Sequence, residues 1–418
     1  MKPQARLDLL NQVLKDSMVA PFYRRRLDGR PLASLEEISR LPLLTRDDLQ
    51  RHSPFGLVCV PREELYQYHE SFGTTGAPVS TWLTREDLDF CAEQLNASGI
   101  NFTPADIVLI RFPYAISTIS HLVHHAAHAR GAAVVPASSR STISPFPRIV
   151  NLLQKLEVTV LAGLPLQALL IAETAEMMGL RPARDFPRLR ALFTGGEPLS
   201  PGRRRLLSKL WGVPVIDNYG MTEIGPAVMD CQFSQPHPLE DYFVFEILKD
   251  DLQTGAEPGE TGFLVVTTLR RKAVPLIRYL TRDRARLVTK ECPCGRQHTL
   301  EIRGRLEDTI SIGGRVFDRW DLEAIISHLP YQRYWAAGPD SKGLRIVVEE
   351  EGTGGEIDPG LISQLEELYQ TAIKIETVPR GTLCDRSQLM EVGEVGKPRY
   401  LYSAEEISRR EHIRLMRL

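Results

Sequence analysis

From about residue 85 to about residue 225 the chain alternates strand-like and helix-like segments, and this alternation constrains the fold more than any other feature. "DIVLIRF", "AAVVPAS", "VTVLAGLP", "LRALFTGG" and "PVIDNYG" are short apolar runs of strand length. Between them stand "HLVHHAAHARG", "PRIVNLLQKLE", "LQALLIAETAEMMG" and "PGRRRLLSKLWG", and "EDLDFCAEQLNAS" precedes the first strand. These have helical apolar spacing. Strands that alternate with helices predict a largely parallel α/β sheet. Gly131 suits the position just past a helix end. Residues 243–290 ("FVFEIL", "GETGFLVVTTL", "VPLIRYLTRD") are richer in strands and turns, which predicts an antiparallel or barrel-like subdomain. After about residue 305 the texture becomes that of a small α+β unit. The expected class is therefore α/β, with a large N-terminal α/β domain carrying a strand-rich subdomain over 1–306 and a small α+β domain over 307–418. Residues 1–50 read as short helices, with Thr45 as an N-cap. Residues 351–360 read as a loop, and "SAEEISRREHIRLMRL" as a final solvated helix, basic on one face.

Bulk properties narrow the function. A chain of 418 residues is too long for one compact core. A net charge of −2 argues against general nucleic-acid binding, which needs a basic surface. No apolar run reaches the ~18 residues of a membrane span. The stretch "MKPQARLDLLNQVLKDSM" is interrupted by charge and lacks the apolar core of a signal peptide. A cytoplasmic protein, with neither nucleic acid nor membrane as partner, is expected. The six cysteines do not form a disulfide framework.

"SFGTTGAPVS", residues 71–80, offers hydroxyls and bare backbone of the kind that holds phosphate. It lies between two strand-like segments, "LYQYHE" and "VSTWLT", so it is not the strand–loop–helix of a P-loop.

Together with "APFYRRRLDG", "SPFGLVCVPREEL", "FTGGEPLS", "DNYGMTEIGP", "IRYLTRD", "CPCGR", "IRGRLEDTISIGG" and "GEVGKPRY", in that order and approximate spacing, this loop resembles the adenylate-forming superfamily of acyl-CoA synthetases. The branch it is most similar to is the phenylacetate–CoA ligases. The resemblance spans nearly the whole chain and implies a large N-terminal domain and a small C-terminal domain that rotates. It implies a two-step reaction, in which a carboxylate attacks the α-phosphate of ATP and a thiol then takes the acyl group. By this resemblance Ser71, Gly73, Thr74, Thr75 and Gly76 contact the β- and γ-phosphates. Ala77 stands where the family often has lysine, and Phe72 replaces a small residue. Gly196, Glu197 and Pro198 form the adenine-side segment. In Asn218–Gly220–Met221 and their neighbours, Tyr219 lies beside the adenine, Thr222 contacts phosphate and Glu223 holds Mg²⁺. Asp283 accepts from the ribose hydroxyls, Arg305 stands at the domain junction and Asp308 at the hinge. Lys397 bridges the acyl carboxylate and the α-phosphate during adenylation. Tyr114 and His121 border the acyl pocket.

Cys231, His237, Cys292 and Cys294 offer three thiols and one imidazole, a set that suits tetrahedral Zn²⁺. Unliganded reduced thiols are the alternative. Some members of the resembled family carry zinc in these segments, which would make the ion structural. His121, His125 and His128 fall near one helical face, with no cysteine or carboxylate to complete a metal site, and read as ordinary histidines. The expected cofactors are ATP, Mg²⁺ and structural Zn²⁺, with CoA as co-substrate. The partners are a small aryl or arylacetic acid and CoA or a carrier protein, with a homodimer among the expected states. Two alternatives stay open. One keeps the adenylation chemistry but changes the acceptor or the anion: a carrier-protein thiol, an amine, or nitrite for diazotisation of an aminobenzoate. The other is an inactive homologue that serves as a binding protein.

Overall fold

A computed structural model of the protein describes residues 1–71, 77–139, 141–352, 356–391, 398–409 and 413–415. Strands and helices alternate where the sequence pattern alternates. After a hairpin of β1 (Gln67–Glu70) and β2 (Ser80–Leu83) come the helix Arg85–Asn96, β3 (Ile107–Ile110), the helix Thr118–Ala129 and β4 (Ala133–Pro136). The helix Phe146–Lys155 follows, then β5 (Val160–Gly163), the helix Pro165–Met177, β6 (Ala191–Gly195), the helix Pro201–Trp211 and β7 (Val215–Met221). Next stand β8 (Gly225–Asp230), β9 (Pro236–Pro238), β10 (Phe243–Leu248), β11 (Thr261–Thr268), β12 (Tyr279–Thr289) and β13 (His298–Arg305). The remainder holds β14 (Ile310–Ile312), β15 (Arg315–Phe317), the helix Arg319–Ile326, β16 (Trp335–Pro339), β17 (Gly343–Glu349), the helix Pro359–Tyr369 and β18 (Ala372–Val378).

The chain gathers into two compact units. The first holds Met1–Pro136, Phe193–Gly196 and Ile216–Ile302. The second holds Ala137–Leu192, Glu197–Val215 and Arg303–Leu418. In the first, β3 and β4 are parallel, with Ile107 opposite Ala133, as a crossover helix requires. β7, β8 and β9 run antiparallel. The strand-rich region is an antiparallel sheet in the order β10-β11-β12-β13, open at both ends rather than closed into a barrel. In the second, β17 pairs antiparallel with β16 and parallel with β18.

Local chemistry sets the element ends. Thr45 and Thr84 each close a capping box, with Asp48 and Asp87 at the third helical position. Asp87 is buried because its two oxygens also accept the N–H groups of Lys272 at 2.7 Å and Ala273 at 3.0 Å. That tie docks the helix Arg85–Asn96 on the loop ahead of β12. Gly131 takes φ +77°, the left-handed conformation expected past the helix Thr118–Ala129. The helix Pro165–Met177 is buried continuously from Pro165 to Ala175, so it is covered by protein on all sides.

One expected element differs. The final helix runs only from Ala404 to Ser408. Ile413 and Leu415 are buried at 2% exposure each, and the Arg399 N–H donates to the Leu415 carbonyl at 2.9 Å. Two apolar side chains two residues apart bury together on an extended chain and not on a helix. Among the described residues no helix is long and apolar enough to cross a membrane.

Candidate active site

The "DNYGMTE" segment lies in β7 and the reversal into β8. The reversal is tight. A Cβ on Gly220 would stand 2.5 Å from the Gly225 carbonyl, and Gly225 itself has φ +75°. Only glycine fits such an approach. The turn holds Thr222 half-buried and Glu223 buried at 4% exposure. Upstream, a Cβ on Gly195 would meet the Asn218 carbonyl at 2.7 Å, so β6 and β7 also approach closely there. The Thr194 hydroxyl donates to Asp217 at 2.5 Å and the Asp217 N–H donates to buried Asp230 at 2.6 Å, which fixes the strand leading into the turn.

Two tyrosine–carboxylate pairs join this turn to β12. The Tyr219 hydroxyl donates to Asp283 Oδ2 at 2.7 Å, and the Tyr279 hydroxyl donates to Glu223 Oε1 at 2.6 Å. Tyr279, Thr281 and Asp283 alternate along β12 and are all buried, so they share one face. Burial pushes the Glu223 carboxyl above the usual carboxylate range, and the Tyr279 hydrogen bond and the charge of Arg46 pull it part of the way back. Both phenols are driven well above their ordinary value, first by burial and then by the adjoining carboxylates. They therefore remain hydrogen-bond donors. The arginines around Asp283 have other partners: Arg278 chelates Glu246 at 2.8 and 3.1 Å, and Arg284 pairs with Asp250.

The structure brings Tyr219, Glu223 and Asp283 together. Ser71 closes the base of the 71–80 loop, where its N–H donates to the Val79 carbonyl at 2.8 Å and its hydroxyl accepts the Val79 N–H at 2.9 Å. Gly73, Thr74, Thr75, Gly76 and Lys397 lie outside the described residues. Tyr114 and His121 are neighbours in the first unit, ring centroids 5.5 Å apart, and the Tyr114 hydroxyl meets His124 Nδ1 at 3.1 Å. His121, His124, His125 and His128 line a cavity of about 470 Å³, where His125 Nε2 lies 2.7 Å from Asp89. In the second unit Glu197 lies 3.7 Å from Arg319, Pro198 packs against Gly304, and Arg305 is 4.0 Å from Glu307.

A second cluster lies at the far end of β8. Cys231, His237, Cys292 and Cys294 place their ligand atoms within 4.8 Å of one another. Cys231 Sγ is 3.7 Å from Cys292 Sγ, and Cys294 Sγ is 3.3 Å from His237 Nε2. Zn–S bonds of about 2.3 Å in a tetrahedron put sulfurs about 3.8 Å apart. A disulfide would need about 2.05 Å. His237 Nδ1 is 2.6 Å from the His298 carbonyl, which fixes the tautomer and leaves Nε2 as the ligand atom facing the thiols. Burial holds the His237 ring below its ordinary value, in the neutral form that binds metal. The turn between β12 and β13 presents both Cys292 and Cys294, closed by Gly295 at φ +87°.

Residues 71–267 match the family model described as AMP-binding enzyme, a span that begins at the 71–80 loop and contains the β7–β8 turn. Over 348 residues the chain is 34% identical to the phenylacetate–coenzyme A ligase of Thermus thermophilus, covering 80% of this chain and 75% of that protein. The chain belongs to the phenylacetate–CoA ligase family of adenylate-forming enzymes. A second relative, the phenylacetate–coenzyme A ligase of Aromatoleum evansii, is 31% identical over 70% of this chain and 68% of its own length. In fold, the chain matches a crystal structure of 2-hydroxyisobutyryl-CoA ligase in the postadenylation state with R3-HIB-AMP. The TM-score is 0.85 at 24% identity, over 97% of this chain and 90% of that one. In this chain of the phenylacetate–CoA ligase family, Tyr279 is a candidate site residue that sequence analysis does not single out. Tyr279 stands in the same "IRYLTRD" motif as Asp283, and its spacing of two and four residues from Thr281 and Asp283 was the available signal.

Proposed function

We propose that the protein uses ATP to convert a small aryl or arylacetic carboxylic acid into its acyl-adenylate and then transfers the acyl group to CoA. The carboxylate oxygen attacks the α-phosphorus, the bond to the bridging oxygen breaks, and pyrophosphate leaves. The CoA thiolate then attacks the acyl carbon, and AMP leaves with the carboxylate-derived oxygen. The observation that carries this reading is the double tyrosine–carboxylate junction, because it puts the two most specific family motifs in one place.

Each residue has a task in this scheme. Asp283 receives the ribose hydroxyls, since a carboxylate offers two acceptor oxygens, and the Tyr219 hydrogen bond fixes its orientation. Gly196, Glu197, Pro198, Asn218, Gly220 and Met221 border the nucleotide. Ser71, Gly73, Thr74, Thr75 and Gly76 cradle the outer phosphates without a lysine. Thr222 donates to phosphate. Glu223 would hold Mg²⁺. It is a buried carboxylate whose pKa burial raises, and a hard cation beside it would favour its charged form. Mg²⁺, when bound, supplies charge compensation to the phosphates. Lys397 neutralises the repulsion between the acyl carboxylate and the α-phosphate. Arg305 marks the junction, with 1–306 as the nucleotide- and acyl-binding domain and 307–418 as the moving domain. Tyr114 and His121 contact the acid. Cys231, His237, Cys292 and Cys294 would hold Zn²⁺, whose four protein ligands leave no open position, so it is structural. A cytoplasmic location and a homodimeric state belong to the same reading.

The experiment is pyrophosphate release from ATP against aryl, arylacetic and aminobenzoic acids and nitrite, each with and without CoA. Release that depends on one aryl or arylacetic acid, with a thioester only when CoA is present, is expected. Acid-dependent release without thioester would move the acceptor to a carrier-protein thiol or an amine. Release with nitrite, or none with ATP bound, would overturn the carboxylic-acid reading.

A further inference from the structure

The loop ahead of β12 carries four basic side chains, Arg270, Arg271, Lys272 and Arg278, and three of them have partners in the first unit. Arg270 donates to the Asp241 carbonyl at 3.3 Å and lies over the rings of Phe90 and Tyr242. Lys272 pairs with Glu86, and Arg278 chelates Glu246. Arg271 differs. It is buried at 8% exposure, and its Nη1 is closed off from solvent with no hydrogen-bond partner. Among the described residues no carboxylate pairs with it. Asp87, whose helix packs near by, gives its oxygens to the N–H groups of Thr84, Lys272 and Ala273. A guanidinium stays charged at any working pH. Burying such a charge is strongly unfavourable unless a partner offsets it.

The surroundings of Arg271 say what that partner would be near. A Cβ on Gly225 would stand 3.0 Å from Arg271 Nη2 and 3.1 Å from Cys91 Sγ. Gly225 closes the turn that holds Glu223, so the guanidinium lies against that turn. Its charge also reaches His69 in β1. The His69 ring packs on His121 with centroids 5.3 Å apart, and His121 packs on Tyr114 at 5.5 Å. Neither close neighbour compensates the cation. Burial pushes the Cys91 thiol up to about 11, and Arg271 pulls it back only in part. Burial first, then His121, holds the His69 ring down at about 4, so it is neutral. Arg271 is thus a buried, uncompensated cation with the Glu223 turn on one side and the rings of His69, His121 and Tyr114 near by.

We infer that the acid activated by this enzyme carries a second oxygen acceptor, a carboxylate or a phenol hydroxyl on its ring, and that Arg271 binds it. The inference rests on the reading of the site as one that adenylates an aryl or arylacetic acid beside Tyr114 and His121. In that reading Lys397 serves the carboxylate that reacts, so the acceptor for Arg271 is a different group. The planar guanidinium offers N–H donors in a fork that fits two carboxylate oxygens or one hydroxyl oxygen. An acid without the second group leaves Arg271 buried and unpaired. Sites built to hydrogen-bond a substrate group discriminate strongly against the analogue that lacks it, for this reason.

The test is acid-dependent ATP–pyrophosphate exchange with benzoic and phenylacetic acids and with their hydroxy- and carboxy-substituted isomers at each ring position. In the wild type, kcat/KM for at least one substituted isomer is expected to exceed that of its parent by roughly tenfold or more. The series that shows the preference tells hydroxyl from carboxylate. In Arg271→Met the ratio is expected to fall to about threefold or less, with the melting temperature held or raised, because an unpaired buried charge has gone. Arg271→Lys keeps the charge without the fork and is expected to retain part of the preference. A wild type that prefers no substituted isomer to its parent would overturn the inference, whatever the variants do. So would a preference kept in Arg271→Met, or an equal fall there for parent and substituted acids, which would put Arg271 on the reacting carboxylate or in the fold alone. If no acid supports exchange in the wild type, the adenylation reading itself fails, and the inference with it.

Discussion

At the scale of single residues, the site is controlled by how burial and hydrogen bonds divide over its carboxylates. Glu223 is raised by burial and pulled down by Tyr279. A hydrogen bond to a charged group contributes about 1.5–3 kcal/mol. Tyr279→Phe removes the contribution that favours the charged form, so the pKa of Glu223 rises further. A carboxylate that must be ionised to work loses activity as pH falls through that pKa. The acid limb of the adenylation rate is therefore expected to move to higher pH in Tyr279→Phe, with the alkaline limb in place. A rate–pH profile of pyrophosphate exchange checks this, and an unmoved acid limb would contradict it. Asp283 and Glu223 were legible in the sequence because each sits in a motif. Their tyrosine partners were not read as partners, because the pairs join residues 64 and 56 positions apart and no local pattern reports that.

At the scale of elements, most of the chain could be read in advance. The alternation of strands and helices, the N-cap at Thr45 and Gly131 past its helix are local signals, and local chemistry decides them. The final helix failed for a tertiary reason. Ile413 and Leu415 gain more from burial on extended chain than from a solvated helix. The cysteine and histidine cluster was legible as a ligand set from its residue types, and the structure adds the distances. It ties the chain after β8 to the turn between β12 and β13, close in sequence to Asp283. The purified protein is expected to carry about one zinc per chain. Cys292→Ser with Cys294→Ser is expected to lose it and to melt several degrees lower, at about 2–4 °C per kcal/mol. Metal analysis and a thermal melt check this, and active wild-type protein free of metal would contradict it.

At the scale of the whole molecule, the units are assembled from separated stretches of chain, which a reading along the sequence does not see. Buried Glu173, paired with Arg333, Arg380 and Arg386 within the second unit, belongs to this level. Its partners are 160 to 213 residues away, and in the sequence Glu173 is merely one of two acids in "LQALLIAETAEMMG". The family, by contrast, was legible because it is carried by short motifs in a fixed order, and the match to phenylacetate–CoA ligases bears it out. The central claim is that the turn holding Glu223 and the strand holding Asp283 form one adenylation centre. The most direct measurement is acid-dependent ATP–pyrophosphate exchange in wild-type protein and Glu223→Ala, with the acid taken from the panel above. Exchange in the wild type that falls by roughly a hundredfold or more in Glu223→Ala, with the melting temperature retained, is the predicted result. Equal exchange in the two proteins would contradict the account.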